Sequence, residues 1–230
     1  MYNRKNLDVG AYLVVGPENT NGRAVEEIVG DAVRAGFTIV QIRSKVAGAL
    51  EMIELCRKAA DKIANLGKSD SVSLVVDDRL DVVLAARERG IKVDGIHVGQ
   101  SDIPVDVCRK YLGEDSIVGL SALTSELIEY VKNFDSAKID YFGAGPLHET
   151  MSKDDCQRNA DGKVITILDE ISELAKSSPV PVVVGGGVKA CDIPLLKKSG
   201  VDGFFVISAV AGAENPYDEA KKLVDAWKNQ

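Results

Sequence analysis

The sequence predicts an α/β fold, a single (β/α)8 TIM barrel with its active site at the C-terminal face of the strands. Three observations carry that expectation. Short β-branched runs alternate with amphipathic stretches eight times along 230 residues, which suits a closed parallel barrel better than an open sheet. Several amphipathic stretches stop at a glycine placed for a helix C-cap. No linker rich in Pro, Gly or Ser and no low-complexity run divides the series, so residues 1–230 read as one domain, with 1–10 an N-terminal extension.

The first strand is YLVV (12–15), followed by AVEEIVGDAVRAG, apolar at helical spacing. The second is TIVQIR (38–43); Gln41, Arg43 and then Lys45 lie two apart and share a face. In the helix that follows, Cys56 falls on the apolar side of ELCRKA and reads as packing. The third strand, SLVVDD (73–78), ends in Asp77 and Asp78, which point to opposite sides if the strand stays regular. Arg79 and Asp81 read as a surface pair ahead of the helix LDVVLAARERG. The fourth strand, GIHVG (95–99), delivers Gln100 and Asp102 at its end. Its His97 alternates with Ile96 and Val98 and faces inward, either as a packed structural histidine or as a site residue.

SIVGLSA (116–122) is the fifth strand and SELIEYVKNF its helix. The sixth, YFGAG (141–145), leads into GAGPLHETMSKDD, which carries His148, Thr150, Ser152 and Lys153. The connection over 146–161 is longer and more polar than the others, as an active-site flap or as a tolerated insertion. The seventh strand, PVVVGG (181–186), runs into Gly185, Gly186 and Gly187 before the helix IPLLKKSG. The eighth, GFFVIS (203–208), ends at Ile207 and Ser208 ahead of a short helix.

Lysine and arginine number 28 against 35 aspartates and glutamates, a net charge of −7. That balance argues against nucleic acid or an anionic membrane as the main partner. No apolar run approaches the roughly 20 residues of a membrane span, and MYNRKNLDVG has no apolar signal region. A cytoplasmic location is expected. Cys56, Cys108, Cys156 and Cys191 are scattered, with no close pair and no histidine at a zinc-like spacing. Cys156 lies in a polar loop with nothing beside it that marks a nucleophile.

In a barrel of this kind the chemistry gathers where the strands end. Arg43 and Lys45 suit an anion, arginine offering a fork to phosphate oxygens, against the plainer reading of a solvated edge. The carboxylates after strands three and four suggest Mg²⁺ carrying most of its ligands as water and substrate phosphate. Asp102 serves equally well as an N-cap for a helix starting near Ile103 and Pro104. The glycines after strand seven let backbone N–H groups approach a phosphate, helped by the helix after strand eight, although a triple glycine is also an ordinary turn. A diphosphate site with a metal beside it, facing a monophosphate site, implies two phosphorylated substrates.

VQIRSK, DDRLDVVLAA, GIHVGQSD, VGLSA, GAGPLHETMSKDD, VVVGGG and FFVISAV stand in the order found in the thiamine phosphate synthase (thiamine-phosphate pyrophosphorylase) family. The sequence resembles that family from about residue 12 to about residue 228. The resemblance implies a Mg²⁺-dependent transferase of thiamine biosynthesis that condenses hydroxymethylpyrimidine diphosphate with thiazole phosphate, releasing pyrophosphate. It assigns Gln41, Arg43 and Lys45 to the diphosphate, Asp78 and Asp102 to Mg²⁺, and Asp77 to the neighbourhood of the pyrimidine. Ser121 and Lys153 would contact the diphosphate or leaving group. Thr150 and Ser152 would take the thiazole phosphate together with backbone at Gly187, Ile207 and Ser208. Catalysis would then fall to Arg43, Lys45, Ser121 and Lys153, with pyrophosphate departing ahead of thiazole attack and no side-chain nucleophile required.

Three positions depart from the family's pattern. Asp77 stands where asparagine is usual, Ser152 where threonine is usual, and Leu123 where a histidine often follows the serine of VGLSA. A related tautomerase of the thiazole precursor depends on a histidine in that region, and Leu123 cannot move a proton. A phosphate-binding barrel without catalysis is the remaining alternative; it would have no reason to keep both carboxylates and the basic triple. The sequence leaves open whether the chain forms a homo-oligomer, which form of the thiazole it takes, and what His97 and His148 do.

Overall fold

Each strand buries both of its faces, and the two faces go to different cores. In the computed structural model, described for residues 2–133, 136–148 and 168–229, the strands are β1 (Ala11–Val15), β2 (Ile39–Ile42), β3 (Ser73–Asp77), β4 (Gly95–Gly99), β5 (Ile117–Ser121), β6 (Tyr141–Ala144), β7 (Val182–Val184) and β8 (Gly203–Val206). Each pairs in parallel with the next and β8 returns to β1, closing the barrel. The helices outside it are α1 (Val25–Ala35), α2 (Ala49–Asn65), α3 (Leu80–Glu88), α4 (Val105–Leu112), α5 (Thr124–Asn133), α6 (Leu168–Ser177), α7 (Ile193–Ser199), the short α8 (Ser208–Ala211) and α9 (Pro216–Lys228). The eightfold alternation read from the sequence is therefore the observed topology. Helices α1 and α7 end, as expected, on Gly36 and Gly200 in the left-handed region.

The period of two decides which side chain enters which core. Leu13, Val40, Leu74, Ile96, Val118 and their equivalents face the helices and fill the layer between sheet and helix shell. Their neighbours Tyr12, Val14, Ile39, Val75, Ile117, Tyr141 and Val183 point into the barrel. Burying one such aliphatic side chain contributes roughly 1.5–3 kcal/mol, so both faces hold every strand in register. Cys56 packs in the outer layer, as its place in the sequence predicts.

Three aspartates that precede even-numbered strands tie the bottom of the barrel. Asp94 accepts a hydrogen bond from the Leu74 N–H (2.8 Å), Asp140 from Val118 N–H (2.7 Å) and Asp202 from Val182 N–H (2.8 Å). Each caps the start of the preceding strand, and the repeat is visible as VDG, IDY and VDG. The extension ahead of β1 is part of this end. Leu7 and Val9 pack into the barrel interior, Arg4 pairs with Asp140 at 2.6 Å, and the Tyr2 ring lies 3.7 Å from the Arg87 guanidinium carbon. With the bottom closed in this way, the open end is the one where the strands finish. No helix among the described residues is long and apolar enough to cross a membrane.

Candidate active site

β2 leaves the barrel after Ile42, and the alternation places its polar residues at different depths. Gln41 is only 3% exposed and donates through Nε2 to the Tyr12 hydroxyl at 2.6 Å, inside the barrel. Arg43 and Lys45 emerge above it at the mouth. Arg43 Nε lies 3.2 Å from Asp77 Oδ2, and Lys45 Nζ lies 2.9 Å from Asp78 Oδ2 and 3.8 Å from Asp77 Oδ2. The loop carrying the two cations is pinned by Glu18, whose carboxylate accepts from Ser44 Oγ (2.6 Å) and from the Lys45 N–H (3.0 Å). Glu18 carries no motif in the sequence; only the meeting of the β1 and β2 loops reveals it.

The two successive aspartates do not point apart. β3 stops at Asp77, and Asp78 turns into the left-handed region at φ 59°, so both carboxylates stay at the mouth and share Lys45. Such a conformation costs a non-glycine residue about 1–3 kcal/mol. The Asp78 N–H to His97 C=O bond (2.8 Å) and the ion pair with Lys45 (2.9 Å) hold it. Burial and then the neighbouring Asp78 charge push Asp77 up to about 7, with Arg43 and Lys45 opposing. Asp78 is half-buried, but the hydrogen bond and charge of Lys45 outweigh this and hold its carboxyl below the ordinary value.

Asp102 does not cap a helix. Pro104 precedes α4, and Asp102 Oδ2 instead accepts from the Gly99 N–H at 2.8 Å, closing the turn after β4. Burial raises the Asp102 carboxyl and the Asp78 charge adds to it, against the Gly99 hydrogen bond. Asp77, Asp78 and Asp102 thus crowd one side of the mouth, with two cations among them. No group of three or more acidic, histidine or cysteine side chains among the described residues forms a cage for a metal. A hard cation here would keep ligand positions for water or phosphate.

Across the mouth, the ends of β6, β7 and β8 form a recess open to solvent and lined by Gly145, Gly186, Gly187, Ile207 and Ser208. Gly186 and Gly187 take φ values of 85° and 73°, and a Cβ on Gly186 would meet Pro146 at 2.4 Å. Leu147 N–H and His148 N–H donate to the carbonyls of Gly185 (2.8 Å) and Gly186 (2.9 Å), which sets the chain after β6 against this turn. His148 is fastened further by Asp192, Nε2 to Oδ2 at 3.0 Å. Ser208 starts α8 at the rim, as the short helix after strand eight was expected to do. Ser121 ends β5 between Gly99 and Gly143 on the wall of the mouth and is buried.

The structure therefore gathers Arg43, Lys45, Asp77, Asp78 and Asp102 on one side, Gly187, Ile207 and Ser208 on the other, and Ser121 between them. Gln41 sits a layer deeper than the two cations. Thr150, Ser152, Lys153, Cys156 and all of the expected 146–161 flap beyond His148 lie outside the described residues. Sequence reasoning missed Tyr12 and Tyr141, two tyrosines at inward strand positions that touch Gln41 and His97. The signal available for them was a bulky polar aromatic where barrel interiors ordinarily carry branched aliphatics. Arg79 and Asp81 form the surface pair expected of them, at 2.6 Å.

Known proteins resemble this chain over nearly its whole length. Residues 11–210 match the family model described as thiamine monophosphate synthase. The chain is 37% identical over 220 residues to the thiamine-phosphate synthase of Natronomonas pharaonis, covering 95% of each chain. It is 34% identical to that of Syntrophomonas wolfei, covering 97% of this chain and 98% of the relative. The solved structure of a thiamine phosphate pyrophosphorylase from Pyrococcus furiosus superposes with a TM-score of 0.77 at 28% identity, covering 99% of this chain and 97% of that one. A (S)-3-O-geranylgeranylglyceryl phosphate synthase from Thermoplasma acidophilum, 11% identical with a TM-score of 0.64, shares the fold alone.

Proposed function

The chain belongs to the thiamine monophosphate synthase family and is an enzyme that condenses hydroxymethylpyrimidine diphosphate with thiazole phosphate; we propose that the two sides of its mouth divide that work. The cation and carboxylate side would take the diphosphate, and the glycine recess the thiazole phosphate. The observation that carries this reading is the meeting of Arg43 and Lys45 with Asp77, Asp78 and Asp102 directly opposite Gly187 and Ser208.

Without substrate the cations spend their charge on Asp77 and Asp78. An arriving diphosphate offers them more oxygens, and Arg43 presents a fork to it. Two carboxylates of hard oxygen donors at Asp78 and Asp102, with no protein cage around them, fit Mg²⁺. When bound, the ion supplies positive charge to the departing pyrophosphate. The bond between the pyrimidine methylene carbon and the diphosphate oxygen breaks with both electrons leaving on oxygen. The thiazole nitrogen then forms the new C–N bond. Arg43, Lys45 and Ser121, joined by Lys153 as the family resemblance assigns it, would stabilise the departing charge, while Thr150, Ser152 and the backbone at Gly187, Ile207 and Ser208 would hold the second substrate in line. Small anionic substrates and a net charge of −7 support a cytoplasmic reaction without a nucleic-acid or membrane partner.

Product formation by the purified protein, given both substrates with Mg²⁺ and then with excess EDTA, tests the reading. Thiamine phosphate and pyrophosphate in equal amounts, and only with metal, are expected. Product at the same rate in EDTA removes the metal role of Asp78 and Asp102. No product from a folded protein under either condition removes the assignment of the mouth.

A further inference from the structure

Beneath the mouth, four polar side chains from four strands meet in the barrel interior. Gln41 Nε2 donates to the Tyr12 hydroxyl (2.6 Å), the Tyr12 and Tyr141 hydroxyls lie 2.9 Å apart, and the Tyr141 hydroxyl lies 2.9 Å from His97 Nδ1. All four residues are buried, and the His97 and Tyr141 rings stack with centroids 5.4 Å apart. Room for the stack comes from Gly119, which faces both in register: a Cβ there would lie 2.5 Å from the Tyr141 hydroxyl and 2.6 Å from His97 Nδ1.

We propose that Tyr12, Tyr141 and His97 are positioning residues that set which end of the Gln41 amide faces the mouth, and so which way round an amino-substituted heterocycle carrying a diphosphate can bind. The proposal rests on the reading that such a substrate enters this mouth. Its basis is a count of protons. Burial raises both phenols, so each keeps its single proton. Because Tyr12 already accepts from Gln41, its proton goes to Tyr141, and the Tyr141 proton goes to Nδ1 of His97. The His97 ring proton is thereby placed on Nε2, and the Gln41 amide oxygen is left as an acceptor, with no protein donor among the described residues. Turning the amide over reverses both hydroxyls and moves the histidine proton to Nδ1; any mixed arrangement leaves a buried hydroxyl proton without an acceptor or sets two acceptors face to face. The interior therefore has two polarities and no continuum between them. In the observed one, a ring amino group meets an acceptor at Gln41, and a ring turned to present its own acceptor there is refused.

Tyr12→Phe and Tyr141→Phe each remove one oxygen and little volume. Steady-state kinetics are expected to show KM for hydroxymethylpyrimidine diphosphate rising about tenfold in either variant, the size of one well-placed hydrogen bond, with KM for thiazole phosphate unchanged. An unchanged KM for the diphosphate, or both KM values rising together, overturns the proposal. A second readout needs neither substrate nor activity: the His97 ring nitrogens observed by ¹⁵N NMR in the substrate-free protein. The native chain is expected to hold the Nε2–H form. Gln41→Glu, which removes the donor at the head of the chain, is expected to convert His97 to the Nδ1–H form. The same tautomer in both proteins overturns the proposal even where the phenylalanine variants fold poorly. A substrate-free tautomer change in a protein that makes no product would instead count against the assigned reaction alone.

Discussion

Gly119→Ala is the sharpest test of how the barrel interior is built. The added Cβ would sit 2.3 Å from Tyr141 Cζ and 2.6 Å from His97 Nδ1, well inside van der Waals contact. Tyr141 has no exposure at all and His97 only 8%, so neither ring can swing into solvent. Relief requires Tyr141 to move by about an ångström, which breaks its hydrogen bonds to Tyr12 and His97 in an interior packed to crystal-like density. Overpacking at roughly 1–3 kcal/mol and about 1 kcal/mol for each of the two hydrogen bonds make a loss of about 4 kcal/mol. For a chain of this size that lowers Tm by about 10 °C. Thermal unfolding followed by circular dichroism, native and variant side by side, measures it. A Tm within about 2 °C of native would refute the reasoning, since it would mean the rings can separate at little cost.

Five further outcomes follow from the same geometry. Lys45→Ala and Asp78→Asn, the latter chosen because asparagine tolerates a left-handed backbone, are each expected to lower kcat by about a hundredfold or more with native circular dichroism; full rates in both would remove the diphosphate and metal assignment. Arg43→Lys is expected to raise KM for the diphosphate substrate, since a point charge cannot reproduce a fork, and unaltered kinetics would place the diphosphate elsewhere. Asp140→Ala leaves Arg109, whose side chain is 6% exposed, without its carboxylate at 2.7 Å and is expected to cost about 3–5 kcal/mol in urea unfolding; a loss below 1 kcal/mol would mean Arg109 finds another partner. In a Cys156→Ser background at pH 8, exposed Cys191 should label quickly while buried Cys56 and Cys108 wait for unfolding. Burial pushes those two thiols up to about 12 and about 11. The unfolded chain then ionises first and binds fewer protons, so stability should fall as pH rises above the unfolded thiol value near 9.0; stability rising in that range would contradict their burial.

Much of the candidate site was legible because its residues lie at strand ends, where a fixed architecture turns sequence position into spatial position. Arg43, Lys45, Gly187 and Ser208 were found in that way. Asp78 was read as a strand-end carboxylate too, but a regular strand sends it away from Asp77, and only its turn to φ 59° keeps both at the mouth. Asp102 was read both as a metal ligand and as a helix start; the structure removes the second reading, its carboxylate accepting from the Gly99 N–H instead. Gln41 shares a face with Arg43, as alternation requires, but depth along that face separates an amide engaged by a tyrosine from a guanidinium paired with a carboxylate.

By itself the sequence determined the alternation of elements, the face each strand residue takes and the charge at the mouth, because periods of 2 and 3.6 and helix caps are local properties of the chain. The tertiary structure alone decided what meets across the interior. Tyr12 and Tyr141 stand 129 residues apart, and His97 and Tyr141 44 apart. Closure of the sheet brings them within hydrogen-bonding distance, and no local rule specifies that contact, since the curvature of all eight strands together sets the width of the barrel.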